Sequence, residues 1–325
     1  MKKLNIYLLA LLAGFFMVSC DDDDDTTPIV DDGDNIVEVL NNDPELSTLR
    51  AALAQAGLLQ TVIGLNDVTL FAPNNDAFDA YLSENGFDGL TDVPVDALKQ
   101  VLMYHILGME VMAADLTTGY VNTIAMKDGM TDGEALDIFV EVDGSDVTLN
   151  LNNAMPVMTD VEASNGVIHT VDKVLVPQDI ASFVASNSQF SSLLAALTRS
   201  DLVSVTDFLA VLDDGNDYTV FAPTNGAFEK LLESNSEWTT LADVPVNVLD
   251  MVLKYHVVAG NNASSGLMEG NVPTLQGGEI EVMLPAAGGV TLKSSTQEVP
   301  VAIADVQATN GVIHAIETVL LPEMN

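Results

Sequence analysis

What constrains this 325-residue chain most is that nearly all of it is written twice. TLFAPNNDAF at 69–78 matches TVFAPTNGAF at 219–228 at seven of ten positions. LTDVPVDALKQVLMYHIL at 90–107 matches LADVPVNVLDMVLKYHVV at 241–258 at ten of eighteen, and ASNGVIHTVDKVLVP at 163–177 matches ATNGVIHAIETVLLP at 308–322 at nine of fifteen. Blocks that recur in one order are two copies of one structural unit. The offset between copies is 144 near the start, 150 at FAP and 145 at NGVIH, which puts about six extra residues of the second copy in or near FLAVLDDGNDY. Domains at 34–178 and 179–325 follow, joined at VPQD with so little linker that their mutual orientation is expected to be restricted.

Inside each copy the hydrophobic period changes from helical to extended. In DPELSTLRAALAQAGLL, Asp43 is placed to cap a helix with Pro44 at its first position, and Leu46, Leu49 and Leu53 share a face. VPVDALKQVLMYHIL repeats the device, with Leu98, Val101, Leu102 and His105 at i, i+3, i+4 and i+7. TLFAP reads as a short apolar strand ended by Pro73, DIFVEVDGSDVTLNL as a hairpin, and NGVIHTVDKVLVP as a turn feeding a strand. Helices first and hairpins later predict an α+β unit rather than a doubly wound sheet.

The order of TVFAPTNGAF, a helix ending in YH, and a C-terminal NGVIH strand resembles the fasciclin-like domain of the fasciclin I family, over residues 34–325. The resemblance implies two tandem domains, each a β-sandwich or wedge with surrounding helices. It also implies extracellular or surface-anchored proteins used mainly for adhesion. In animal members the Tyr-His pair is linked to integrin-dependent adhesion, which points here to Tyr104, His105, Tyr255 and His256 as candidate partner-binding residues.

The first twenty residues have a basic start, an apolar stretch from Leu4 to Val18, and Ser19 before the chain's one cysteine. That is the anatomy of a secretory signal at 1–19, and its end resembles a bacterial lipobox with Cys20 as the lipidated residue. Several acyl chains there would anchor the protein stably in a membrane, and the mature chain would have no thiol for disulfides or catalysis. The acidic segment 20–33, opened by Asp21 to Asp25, reads either as an extended spacer or as an export tag similar to that of Bacteroidetes-type surface lipoproteins. An outer-membrane lipoprotein, exposed or not on the cell surface, is the expected location.

With 48 acidic residues against 10 basic ones, the formal charge is −38, which excludes nucleic acid and favours neutral, cationic or cation-bridged partners. Of the four histidines, His105 and His256 fall on apolar helical faces, while His169 and His314 close the two NGVIH copies, after Asn165-Gly166 and Asn310-Gly311. The expected role of all four is structural. No metal is expected, since each copy has two histidines, no thiol and no short His-x-x-x-His spacing. DGMTDGEALDIF at 128–139 fails the EF-hand pattern at Met130 and Phe139, and only opportunistic calcium binding at Asp213, Asp214 and Asp217 is left open.

A hydrolase is disfavoured because no GxSxG elbow accompanies any serine, and no Walker loop or dinucleotide fingerprint suggests a cofactor. The expected function is therefore a non-enzymatic, lipid-anchored adhesion or interaction protein. The alternative is a glycan-binding surface lipoprotein for polysaccharide capture, with the loop around Trp238 carrying the contact. Trp238 is the sole tryptophan and is expected to have no counterpart in the first copy.

Overall fold

The structure is a computed structural model that describes residues 33–127, 134–150 and 153–323. Helices lead each repeat, and their caps are written into the sequence. Asn35 and Glu38 form a reciprocal capping box that starts α1 (Ile36–Asn42), whose inner face buries Ile36, Val37 and Leu40. Asp43 does cap the next helical segment, but Pro44–Leu46 is a single 3₁₀ turn that runs into α2 (Ser47–Gln55). α3 (Leu59–Gly64), α4 (Asn75–Glu84) and α5 (Val95–Tyr104) complete the first set. α5 buries Leu98, Val101 and Leu102, as its spacing predicts, and Tyr104 besides, and stops with His105, also buried, as its C-cap.

The strands of the first repeat are β1 (Val68–Pro73), β2 (Ile106–Leu107), β3 (Gly119–Met126), β4 (Ala135–Asp143), β5 (Asp146–Leu149), β6 (Pro156–Ala163) and β7 (Gly166–Val171). They form one sheet in the order β5-β4-β3-β2-β1-β7-β6, antiparallel except for the central parallel pair β1–β7. A bridge between Leu149, the last residue of β5, and Ala154, two residues before β6, brings the chain at the two ends of that order together, and the sheet curls into a wedge around one interior. Phe71, Tyr104, Ile138, Val140 and Leu175 fill the inside of the wedge, while Leu70, Ala72 and Ile168 face the helices. β1 and β7 are thus covered on both faces, which is why VTLFAP and GVIHTV read as apolar runs without alternation.

The second repeat rebuilds the same plan. Its helices are α6 (Ile180–Ser186), α7 (Ser191–Leu197), α8 (Ser200–Val203), α9 (Phe208–Leu212), α10 (Asn225–Glu233) and α11 (Val246–Tyr255). Its strands are β8 (Tyr218–Pro223), β9 (Val257–Ala259), β10 (Gly270–Pro273), β11 (Glu279–Met283), β12 (Thr291–Lys293), β13 (Glu298–Ala308) and β14 (Gly311–Ile316). The sheet order is β10-β11-β12-β13-β14-β8-β9, with β8–β14 parallel and a Val258–Thr274 bridge bringing the chain at the ends together. α9 takes the place of α3, burying Phe208 and Leu212, and Leu212 accepts from Asn310 as Val62 accepts from Asn165, so the extra residues of this copy lie between α7 and α9.

No free linker separates the copies. The Gln178 carbonyl accepts from the Thr309 N–H at 2.9 Å, and Asp179 caps α6 by accepting from the Ser182 N–H at 2.7 Å. The first repeat begins in the same way, with Ser164 N–H donating to the Asp34 carbonyl at 2.9 Å.

Candidate functional site

The repeated motifs converge on the parallel strand pair, and their polar atoms are consumed there. Asn165 Oδ1 accepts from the Ile36 N–H at 2.9 Å, and its amide donates to the Val62 carbonyl at 2.9 Å. Asn310 does the same with Ile180 and Leu212. Each asparagine therefore ties the start of the first helix to the end of a later one. The glycines that follow are required by approach as well as by φ: a Cβ on Gly166 would lie 2.1 Å from the Val68 carbonyl oxygen, and one on Gly311 would lie 1.8 Å from that of Tyr218.

His169 and His314 are buried, and both ring nitrogens of each are used. The Asp160 N–H donates to His169 Nδ1 at 3.1 Å, which makes Nε2 the protonated nitrogen that donates to the Val111 carbonyl at 2.9 Å. His314 repeats this with the Asp305 N–H at 3.2 Å and the Asn262 carbonyl at 3.0 Å. Asp160 and Asp305 both have positive φ, 60° and 63°, at irregularities in β6 and β13, so each histidine props a strained strand segment against a loop.

His105 and His256 take the opposite tautomer. Leu175 N–H donates to His105 Nε2 at 2.8 Å, and His105 Nδ1–H donates to the Val101 carbonyl at 2.7 Å. His256 bonds Leu320 and Val252 in the same way. Burial drives the pKa of both rings from 6.5 down to about 4, so they are neutral fasteners between helix and chain end. Tyr104 and Tyr255 are buried beside them, and their hydroxyls donate to the carbonyls of Asp137 and Glu279. A partner reaches Tyr104, His105 and His256 only by displacing what covers them, whereas Tyr255 also lines a cavity with Gln276, Glu279, Ser295 and Glu323.

The other candidates lie elsewhere. Asp214 accepts from Asn216 and from the Tyr218 hydroxyl, which hold its carboxyl below the usual carboxylate range, and Asp217 pairs with Lys127 at 3.0 Å. No three metal-ligating side chains converge among the described residues. Cys20 and residues 128–133 lie outside the described residues, and the rest of the 128–139 segment runs into β4. Trp238 is half-buried against the core and helps line a cavity of about 330 Å³ with Leu231, Val248, Leu249, Val252 and Leu321. It does have a counterpart, Phe87, which begins the equivalent turn: Asp88 N–H donates to Asp92, and Thr239 N–H to Asp243.

The seam between the repeats is the feature that sequence comparison did not reveal. Phe139 of β4 joins the core of the second repeat, and Tyr120 of β3 packs on it and, edge-on, against Phe183 of α6, with ring centroids 5.0 and 5.6 Å apart. Asn187 donates to the Tyr120 hydroxyl at 2.8 Å, Ser188 to Glu141 at 2.9 Å, and Asn261 to Glu134 at 2.6 Å. At the centre the Asp137 carboxylate accepts from the Gln307 N–H at 2.7 Å and the Asn122 amide at 2.6 Å. The only hint in the sequence was an aromatic and an acid two positions apart on one strand, which has no meaning until β13 is laid beside it.

The family model described as "Fasciclin domain" matches residues 44–177 and 188–322. Human periostin is 29% identical over 269 residues, 82% of this chain and 30% of periostin. A Synechocystis protein, sll1483, is 35% identical over 147 residues, 45% of this chain and 76% of its own. Among solved structures, the FAS1 domain pair of the insect cell adhesion molecule fasciclin I superposes with a TM-score of 0.51 at 22% identity, covering 85% of this chain and 97% of that one. The chain thus spans under a third of periostin's length.

Proposed function

We propose, from the premise that the chain belongs to the fasciclin-domain family, that it is a non-enzymatic adhesion or interaction protein of the bacterial envelope, lipid-anchored through Cys20. Fasciclin domains are adhesion-type domains, and this chain carries two of them as one seamed head. The observation that carries the reading is that all four histidines have both nitrogens bonded inside the fold, so the chemistry repeated in the two copies is spent on architecture. Recognition then falls to the outer surface, whose acidic character suits a neutral or cationic protein or glycan. The test is a deletion strain assayed for attachment and aggregation, complemented with wild type and with Cys20→Ala. Wild type restores attachment and the unanchored variant does not. Full attachment without the gene would end the adhesion reading, and full rescue by Cys20→Ala would end the anchor.

A second reading, polysaccharide capture, is favoured by Trp238 lining a cavity whose rim carries Ser234, Asn235 and Ser236. As the only tryptophan, it reports occupancy directly through intrinsic fluorescence. Soluble envelope polysaccharides that leave its emission unchanged at millimolar sugar would remove this reading.

A further inference from the structure

We propose that the seam between the repeats is an acid-tightened clamp, in which the protonation state of the Asp137 carboxyl sets how firmly the two repeats are docked. The inference goes beyond the proposed function, because it concerns the geometry of the head and holds whatever the head binds.

The geometry comes first. Asp137 is only 3% exposed, although it lies on β4 of one repeat and bonds the β13 backbone of the other. Its two oxygens accept one hydrogen bond each, from Gln307 N–H and the Asn122 amide. Among the described residues, the groups that act on it are Asn122 from β3, Gln307 from β13, and Asp305, also on β13, whose negative charge opposes ionisation; none of them is a base. Tyr104 from α5 and Tyr120 from β3 face it as neutral phenols, and burial raises the pKa of both hydroxyls. Further along the seam Glu134 receives Asn261, and the ion pair of Lys127 with Asp217 closes the flank. His314 lies with Nδ1 3.9 Å from Asp305, and burial lowers its pKa from the ordinary 6.5.

Two neutral donors do not offset the loss of water around a carboxylate, so burial pushes Asp137 from its ordinary 3.8 up to about 7. Separating the repeats exposes the carboxyl and returns it to the ordinary value. The docked state therefore binds the proton more tightly. Docking is strongest below the ordinary value and is lost progressively as pH rises through 7, and the docking constant falls roughly 100-fold between pH 5 and pH 8.

The clamp is tested on the full chain by amide hydrogen exchange at Gln307, with rates corrected for intrinsic chemistry and the β7 amides as the reference for global unfolding. Protection at Gln307 relative to β7 is expected to fall roughly 100-fold from pH 5 to pH 8 in the wild type. In Asp137→Asn, which carries a neutral group of the same shape, protection is expected to be flat and high. A wild-type profile that is flat over this range, or an equal fall in Asp137→Asn, overturns the proposal. The unmodified protein supplies an independent check, because the Asp137 carboxyl carbon should titrate near neutrality by NMR; a midpoint below pH 5 also overturns it.

Discussion

The β3–β4 face of the first repeat and the β10–β11 face of the second occupy equivalent places in the same fold, yet only one of them is an interface. The register fixes the correspondence: Gly119 pairs with Val140 as Gly270 pairs with Val282, and Tyr104 bonds the carbonyl of Asp137 as Tyr255 bonds that of Glu279. Where the seam has Tyr120, Asp137 and Phe139, the free face has Asn271, Glu279 and Glu281. Aromatic anchors are replaced by amide and carboxylates, which turn to local partners: Asn271 to Glu279 at 2.9 Å, and Glu281 to Lys293 at 2.6 Å. The receiving side shows the same asymmetry, because Glu162 of the first repeat stands where the second has Gln307, and Val39 where it has Phe183. A head-to-tail interface that can propagate builds filaments; here both unused halves lack the seam's anchors and carry added acids, which disfavours repeating the same contact between molecules.

Converting the seam face into its free copy breaks this comparison most severely. Tyr120→Asn with Phe139→Glu buries a charge in place of a fully packed ring and is expected to cost about 4 kcal/mol. Calorimetry should show one transition resolving into two as the repeats uncouple, and an unsplit transition at the wild-type temperature would mean that the seam contributes nothing. Next in size, His169→Ala and His314→Ala each leave a buried N–H and carbonyl unpaired and should destabilise their own repeat by roughly 3 kcal/mol. Unchanged melting temperatures would show that the histidines are not fasteners.

The pH response sharpens the same contrast. His105 and His256 are neutral in the fold down to about pH 4, whereas their unfolded value is 6.5. The unfolded chain therefore takes up protons first, and stability conferred by the neutral rings is intact above 6.5 and lost as pH falls towards 4, by about 1.4 kcal/mol per pH unit for each histidine. Urea unfolding should register that loss while exchange at the seam shows tighter docking, two opposite slopes in one molecule. The smallest effect expected is from the reverse graft. Glu279→Asn with Glu281→Phe removes the repulsion and installs one anchor, and sedimentation should detect weak self-association on the order of 100 μM. A strictly monomeric graft would show that the receiving side, and not the acidic face, limits assembly.

Much of the fold was legible in advance because the devices that specify it are local. Pro44 and Pro94 at helix starts, the Asn-Gly pairs and the doubled FAP strand announce their roles within a few residues. The histidines were legible as frame, since their phase on an apolar face turns them inward. Their partners were not: the donor to His105 is the backbone of Leu175, seventy positions away, and nothing in a sequence labels an amide. Phe87 and Trp238 differ in residue type, and the second copy is one residue longer before this turn; the shared hydrogen bonds to Asp92 and Asp243 fix them as equivalent.

The sequence by itself determined two copies of one α+β unit, their order of helices and strands, the near absence of a linker, and an acidic surface. These follow from periodicity, turn chemistry and composition, all carried by neighbouring residues. Tertiary structure alone decided that each sheet curls around one interior, that Asp137 is sealed between repeats, and that one face is an interface while its copy is not. Those properties depend on which distant backbone comes to lie opposite a side chain, and desolvation acts only after that meeting has occurred.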